Sequence, residues 1–318
     1  MAADVLSDVL KTVRLTGATY FDVAASAPWA AEQPTREQVL PKILPGAERL
    51  ISYHAVTEGE CWASMVGGEG RRLVEGDIIV FTRGDPHVLS SAPGMRAEPV
   101  APADFDAVAA GPLPFFKTVG GSGAPTARLV CGFLACDARP FNPLLDQLPA
   151  IITTSWRESG PSWLGQFIML ARAESGSRRA GAESVLAKLS ELLFIETLRR
   201  YIESLPAGQT GWLAGLRDPG VGKALSVLHA RPARDWTIEE LAREVAMSRS
   251  VLAERFNHLV GLPPMQYLAA WRMQLAAGLL NGGGNVASVA AEVGYASEAG
   301  FSRAFKKIVG VPPSAWRG

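Results

Sequence analysis

The chain has few cysteines: Cys61, Cys131 and Cys136 are the three among 318 residues. So small and odd a number excludes the disulfide framework of a secreted scaffold and points to a reducing compartment with buried or ligating thiols. Neither sign of charge is in excess, since Lys+Arg 31 balances Asp+Glu 31. That excludes a protein working by bulk positive charge, but not one whose charge is unevenly distributed. No uncharged apolar run approaches the ~18 residues of a membrane-spanning helix. The first residues, MAADVLSDVLKTVRLTG, are acidic early and lack a continuous apolar core, so they do not read as a signal peptide. A soluble, cytoplasmic protein is expected. With 48% hydrophobic and 19% charged residues the chain is a folded one. Its length suits about two domains and a connecting piece.

What is present falls into three zones. Residues 1–140 read as strands: short apolar runs such as 50–56, 78–82 and 127–134 alternate with Gly, Pro and Asp turns, a pattern of sandwiches and barrels. Residues 102–126, rich in Ala, Gly and Pro, read as a long loop. From 141 the period changes. PLLDQLPAII reads as a short helix, and the stretches 162–175 and 183–205 repeat apolar residues three and four apart. In the second, Val185, Leu186, Leu189, Leu192, Leu193, Ile195, Leu198 and Tyr201 make a stripe wide enough to cover either a neighbouring domain or a second subunit. Residues 206–220 read as a linker. The expected divisions are 1–148, a sensory or regulatory domain; 149–215, a helical connector with dimerisation helices; and 216–318.

The last division carries a repeat. TIEELAREVAMSRSVLAERFNHLVGLPPMQYL (237–268) recurs as NVASVAAEVGYASEAGFSRAFKKIVGVPPSAW (285–316). Each copy has the pattern of a helix-turn-helix. Thr237 with Glu240 three residues on is a capping box. Ser248 and Ser297 are placed to cap second helices, whose inward residues are Leu252 and Phe256, or Phe301 and Phe305. The segment 222–318 also holds 11 basic and 7 acidic residues, a local excess of +4 in a neutral chain.

Both helix-turn-helix units and both G-x-P-P endings, with GYASEAGFSRAFKKIVGVPPSAWR in the second copy, resemble the DNA-binding domain of the AraC family of transcription regulators over 219–318. The resemblance implies two recognition helices in successive major grooves of one DNA face, about one turn (~34 Å) apart, held by a stiff helix around 271–280. It implies double-stranded DNA and RNA polymerase as partners. The outward face of the first recognition helix would be Arg249, Ser250, Ala253, Glu254 and Asn257; that of the second, Glu298, Ser302, Arg303 and Lys306. Arg303 is the expected base reader, because a guanidinium bonds guanine O6 and N7 together. Arg249, Lys306 and Lys307 are expected on phosphates, with a solvated surface charge the alternative for Arg249. Glu254 departs from the family's frequent basic residue; it either accepts from a cytosine amino group or pairs with Arg255 or Arg249.

In the N-terminal zone GDIIVFTRGDPH (76–87) resembles the second cupin motif, whose histidine, here His87, points into a barrel and binds metal. The first cupin motif, with its two histidines and glutamate, is absent; YHAVTEGECW stands in its place. His54, His87, Cys61 and Cys131 form an inventory that suits zinc, structural or regulatory. Equally, the cysteines can be small apolar core residues and the histidines hydrogen-bonded. The fold expected is therefore α+β: a cupin-like β-barrel, a helical connector and an all-α domain. The function expected is a non-enzymatic, homodimeric DNA-binding transcription regulator whose barrel senses a small molecule or holds a metal. The alternatives are a metal-dependent, dioxygenase-like cupin enzyme fused to a DNA-binding domain and a sensor switching through Cys61 and Cys131.

Overall fold

The computed structural model describes residues 4–13, 15–43, 47–101, 105, 115–136, 140–157, 163–177, 179–206 and 208–316. These divide into two compact units. One holds the described residues within 15–136 and 148–204; the other holds those within 1–14, 137–147 and 205–318. Thus the chain opens with a helix, α1 (Val5–Val13), that belongs to the same unit as the C-terminal repeat.

The first unit is a curled sheet. Its strands are β1 (Thr16–Ser26), β2 (Ala30–Glu32), β3 (Arg49–Met65), β4 (Arg71–Val74), β5 (Asp77–Phe81), β6 (His87–Ser90), β7 (Phe115–Gly120), β8 (Ala127–Cys136) and β9 (Ile151–Ser155). The order is β2-β6-β3-β8-β1-β7, with β4 and β5 also on β3 and β9 on β5. The 17-residue β3 makes the curl. It pairs with β5 over Ser52–Ala55, then with β6 over Trp62–Met65, while its register with β8 slips between Val56 and Glu58. Such an irregularity bends and twists a strand, so one strand serves both walls. The concave side is apolar: Trp29, Val56, Cys61, Ala63, Ile79, Phe81, Leu89, Leu129 and Cys131 pack together, with Met65 against them.

Helix α2 (Arg36–Ile43) contacts β3, while α3 (Trp163–Ser177) and α4 (Ala182–Ser204) pack on each other and α4 lies on β1. Along α4, Leu186, Leu189, Leu193, Leu198 and Ile202 are buried. Ser190 joins the Tyr53 hydroxyl of β3 at 2.6 Å. Val185 and Leu192, the rest of the apolar stripe's outer edge, are each 40% exposed.

In the second unit follow α5 (Trp212–Arg217), α6 (Pro219–Ala230), α7 (Ile238–Glu244), α8 (Arg249–Val260), α9 (Pro264–Asn281), α10 (Val286–Glu292) and α11 (Glu298–Val309). Val5, Val9 and Val13 of α1, four residues apart, are buried, and the helix contacts α6 and α9. Phe141 sets its ring 5.7 Å from that of Tyr267 and donates its N–H to Gln274 Oε1 at 2.9 Å.

Three expectations change. Of PLLDQLPAII, residues 143–147 are turns and Ile151–Ile152 begin β9, because β5 offers a free edge that a single-sequence period does not show. The linker 206–220 contains α5, whose Trp212 is wholly buried and donates its indole N–H to the Tyr267 hydroxyl at 3.0 Å. Of the loop 102–126, Phe115–Gly120 form β7, parallel to β1; residues 102–104 and 106–114 lie outside the described residues. Among the described residues no helix is long and apolar enough to cross a membrane.

Candidate functional site

The two helix-turn-helix units are built as their sequences dictate. Thr237 Oγ1 accepts from the Glu240 N–H at 3.2 Å, and Glu240 Oε2 accepts from the Thr237 N–H at 3.0 Å, so α7 starts on a complete capping box. Ser248 accepts from the Val251 N–H at 3.3 Å and Ser297 from the Gly300 N–H at 3.2 Å. In the intervening turns the left-handed position is Gly294 in the second copy, at φ +85°, and Ala246 in the first, at φ +57°. A Cβ on Gly294 would lie 2.2 Å from the Ala233 carbonyl oxygen. Leu252, Phe256, Phe301 and Phe305 are fully buried.

Burial of that face leaves the opposite one to solvent. Arg249, Ser250, Glu254 and Asn257 are exposed on α8, and Glu298, Arg303, Lys306 and Lys307 on α11; Ala253 and Ser302 are half-buried. Arg249 Nη1 lies 2.9 Å from Glu239 Oε1. Arg255 Nε donates to Asp218 Oδ2 at 2.8 Å, while the other oxygen of Asp218 caps α6. Both cations named as partners for Glu254 therefore pair elsewhere. Between the two copies runs α9, 18 residues or about 27 Å of helix. The sequence reading missed Arg272 in its middle. That guanidinium donates to Pro232 O at 2.7 Å and Arg234 O at 2.8 Å before α7, and to Gly294 O at 3.5 Å in the turn after α10. It also gave no role to His229. His229 stacks on Trp271 with ring centroids 4.2 Å apart and is hydrogen-bonded through Nε2 to the Tyr267 hydroxyl at 2.8 Å, and burial lowers its pKa to about 3.

In the curled sheet the four candidate ligands face one interior. His54 and His87 bring their Nε2 atoms to 2.8 Å. His87 Nδ1 is 2.9 Å from the Asp85 carbonyl, which can only accept, so His87 carries its proton there. His54 must then donate from Nε2 to the bare His87 Nε2, and its own Nδ1 keeps a buried lone pair without a partner. Burial, then the neighbouring His87, holds the His54 pKa well below the ordinary value; burial lowers that of His87 to about 4. Both are neutral imidazoles. Burial pushes the Cys61 thiol up to about 12 and raises that of Cys131. Among the described residues no three of His, Cys, Asp and Glu stand together as a metal-binding group. The divalent centre that a cupin motif implies, with its histidines and carboxylate, does not fit this donor set among the described residues: there the carboxylate on the cavity wall, Glu32, gives both oxygens to Arg96, at 2.6 and 2.7 Å.

Next to the histidine pair is a cavity of about 340 Å³. Phe21, Trp29, Phe105, Phe115, Phe116 and Phe133 supply aromatic walls, and Lys117 of β7 is a cation among its lining residues. The sequence offered one signal for it, the apolar run at 127–134 in β8; the contribution of β7 depends on a parallel pairing between distant segments.

A curled, cupin-type sheet and a helical unit of two helix-turn-helix motifs together define a DNA-binding protein with a separate N-terminal region. Known proteins agree. A family model described as Cupin matches residues 4–203, and one described as Helix-turn-helix domain matches 241–318. An AraC-like transcription regulator of Streptomyces lividans is 33% identical over 99% of this chain and 98% of its own. The HTH-type transcriptional regulator AlkR of Acinetobacter baylyi is 26% identical over 99% of both chains. ToxT of Vibrio cholerae overlays loosely, with 12% identity, TM-score 0.34 and coverage of 95% of this chain and 94% of that one. The chain belongs to the AraC-like transcription regulators, and it is a DNA-binding regulator with a cupin-type N-terminal region.

Proposed function

We propose that this regulator reads its operator with α8 and α11 in successive major grooves, and that a small apolar molecule in the cavity of the curled sheet biases its DNA affinity. The observation that carries the first part is the pair of equivalent exposed helix faces joined by the continuous helix α9. Arg303 reads a base, and Arg249, Lys306 and Lys307 hold phosphates; Ser250, Glu254, Asn257, Glu298 and Ser302 complete the contact surface. The aromatic lining supports an effector with a flat, apolar body, because aromatic faces gain most from offset stacking with another ring. Such a molecule acts only by binding one DNA-affinity state better than the other. Two copies associate through α3 and α4, where Met169, Leu170, Val185 and Leu192 are exposed. Genome-wide mapping of bound sites, followed by anisotropy titration of the recovered operator with and without candidate effectors, tests the proposal. Binding that is independent of sequence, or indifferent to every compound that raises the melting temperature, would refute it.

A further inference from the structure

The polar groups on the cavity wall name the chemistry of what fills it. We propose that the effector is a compact aromatic monocarboxylate, its ring among the phenylalanines and its carboxylate held between Lys117 on β7 and the Trp29 and Gln33 side chains that flank β2. The inference rests on the effector reading and deepens it, from an apolar body to a charged class.

Charge points to an anion. Lys117 lies opposite Val23 in the parallel β1–β7 register, and Val23 lies opposite Leu129 in the β1–β8 register. Val23 and Leu129 line the cavity, and neighbours in register share a face of the sheet, so Lys117 stands with them on the concave side. Among the described residues no carboxylate pairs with it. Glu32, the acid on the same wall, is neutralised by Arg96, and both histidines are uncharged. The cavity therefore presents one uncompensated positive charge. A single ammonium is a point charge without the planar fork of a guanidinium, and it matches one negative charge better than the two of a phosphate.

Hydrogen bonding selects the head group. Trp29 Nε1 and Gln33 Nε2 belong to lining residues, are buried and have no partner. Trp29 is only 3% exposed, and an indole N–H can only donate. A buried donor left without an acceptor is costly, so a ligand that brings acceptors gains on binding. A carboxylate accepts at two oxygens and donates nothing. The topology brings these donors to one place. β2 and β7 are the two ends of the main strand order, and the curl makes them meet: a Cβ on Gly120 of β7 would lie 2.7 Å from Trp29 Cβ. Trp29, Ala31 and Gln33 alternate along one edge and line the cavity that Lys117 lines from the other. A bound carboxylate thus bridges the seam of the curled sheet. At about 340 Å³ the cavity stands near the lower end of ligand pockets, ~300 Å³, which suits an acid of one or two rings rather than a long chain.

The test is calorimetric titration of the full chain with trans-cinnamate, its uncharged isostere cinnamamide, styrene and the aliphatic acid nonanoate. Cinnamate is expected to bind one per chain, at least about tenfold more tightly than cinnamamide, with an affinity that falls as salt rises. Lys117→Met should bring the two affinities together by weakening cinnamate alone, and Lys117→Arg should restore the preference; Lys117 is exposed, so both variants fold. Trp29→Phe keeps a ring but removes the donor, and should weaken cinnamate severalfold. In ¹⁵N-labelled wild type, cinnamate should shift the indole N–H resonance that Trp29→Phe deletes, a readout that needs no variant to bind. Equal affinity for cinnamate and cinnamamide, a preference that survives Lys117→Met, or nonanoate binding as tightly as cinnamate would overturn the proposal while the effector reading stands. If styrene and cinnamamide also fail to bind, the two fall together.

Discussion

Arg303→Ala separates base reading from charge. The side chain is exposed on α11, and among the described residues no carboxylate pairs with it. Its removal therefore breaks no contact within the fold, and the melting transition should hold within about 0.5 kcal/mol. On the operator, loss of a two-bond contact to guanine should weaken binding by about 1–3 kcal/mol, roughly 5- to 150-fold. On scrambled DNA of the same length only one positive charge is lost, and the plot of affinity against salt should become shallower by about 0.9 in its logarithmic slope. Fluorescence anisotropy on both duplexes across a range of salt reads all three quantities. Equal losses on operator and scrambled DNA would make Arg303 a phosphate contact and refute the assignment. A lower melting temperature would instead mean that the residue supports the helix.

Other expectations follow from the same geometry. Glu239→Gln frees Arg249 from its 2.9 Å ion pair, so affinity for operator and scrambled DNA should rise together, by up to severalfold in low-salt anisotropy titrations, with a steeper salt slope. Gly294→Ala forces a Cβ to within 2.2 Å of a carbonyl at a left-handed position; a loss of more than about 1 kcal/mol in urea unfolding is expected, against a few tenths either way for a surface Gly→Ala change. Acid should destabilise the protein through its buried histidines. His229 and His87 remain neutral in the fold, with pKa values of about 3 and about 4, against 6.5 in the unfolded chain. Their contribution is complete above pH 6.5 and is lost as pH falls towards those values, at about 1.4 kcal/mol per pH unit for each. His229→Gln retains an acceptor for the Tyr267 hydroxyl and should flatten the acid limb measured by unfolding at pH 6.5, 5.5 and 4.5.

Legibility tracked the range of the interactions. The capping box at Thr237, the serine caps and the inward Phe301 and Phe305 depend on residues within one or two turns, and they stand in the fold as read. His87 is inward-facing on the motif reading and His54 enters only as a candidate ligand, because their direct hydrogen bond depends on β3 bending past Val56 to reach β6. β9 sounded helical because its strand character comes wholly from β5. Helix α5 was hidden in a glycine-containing stretch whose order comes from Trp212 meeting Tyr267, 55 residues away. The partition of α1 into the helical unit left a trace in its sequence, Val5, Val9 and Val13 on one face, but the identity of the surface they cover was not encoded locally.

Two recognition helices can read one duplex only if their separation is fixed to a fraction of a base-pair step. Helix α9 sets the distance but not the rotation of either head about it. Arg272 supplies that restraint. One guanidinium, in the middle of the rod, holds the carbonyls of Pro232 and Arg234 leading into the first helix-turn-helix and the carbonyl of Gly294 in the turn of the second. The Ala233 backbone meets Gly294 so closely that no side chain fits there. The two heads are thus joined by a direct backbone contact and a shared set of hydrogen bonds as well as by a helix. Their exposed faces are unequal: Arg249 is engaged by Glu239, whereas Arg303 is without an acidic partner among the described residues. On the proposed reading, the unpaired Arg303 favours first contact through α11, and the coupling of the two heads would then determine where along the duplex α8 lands.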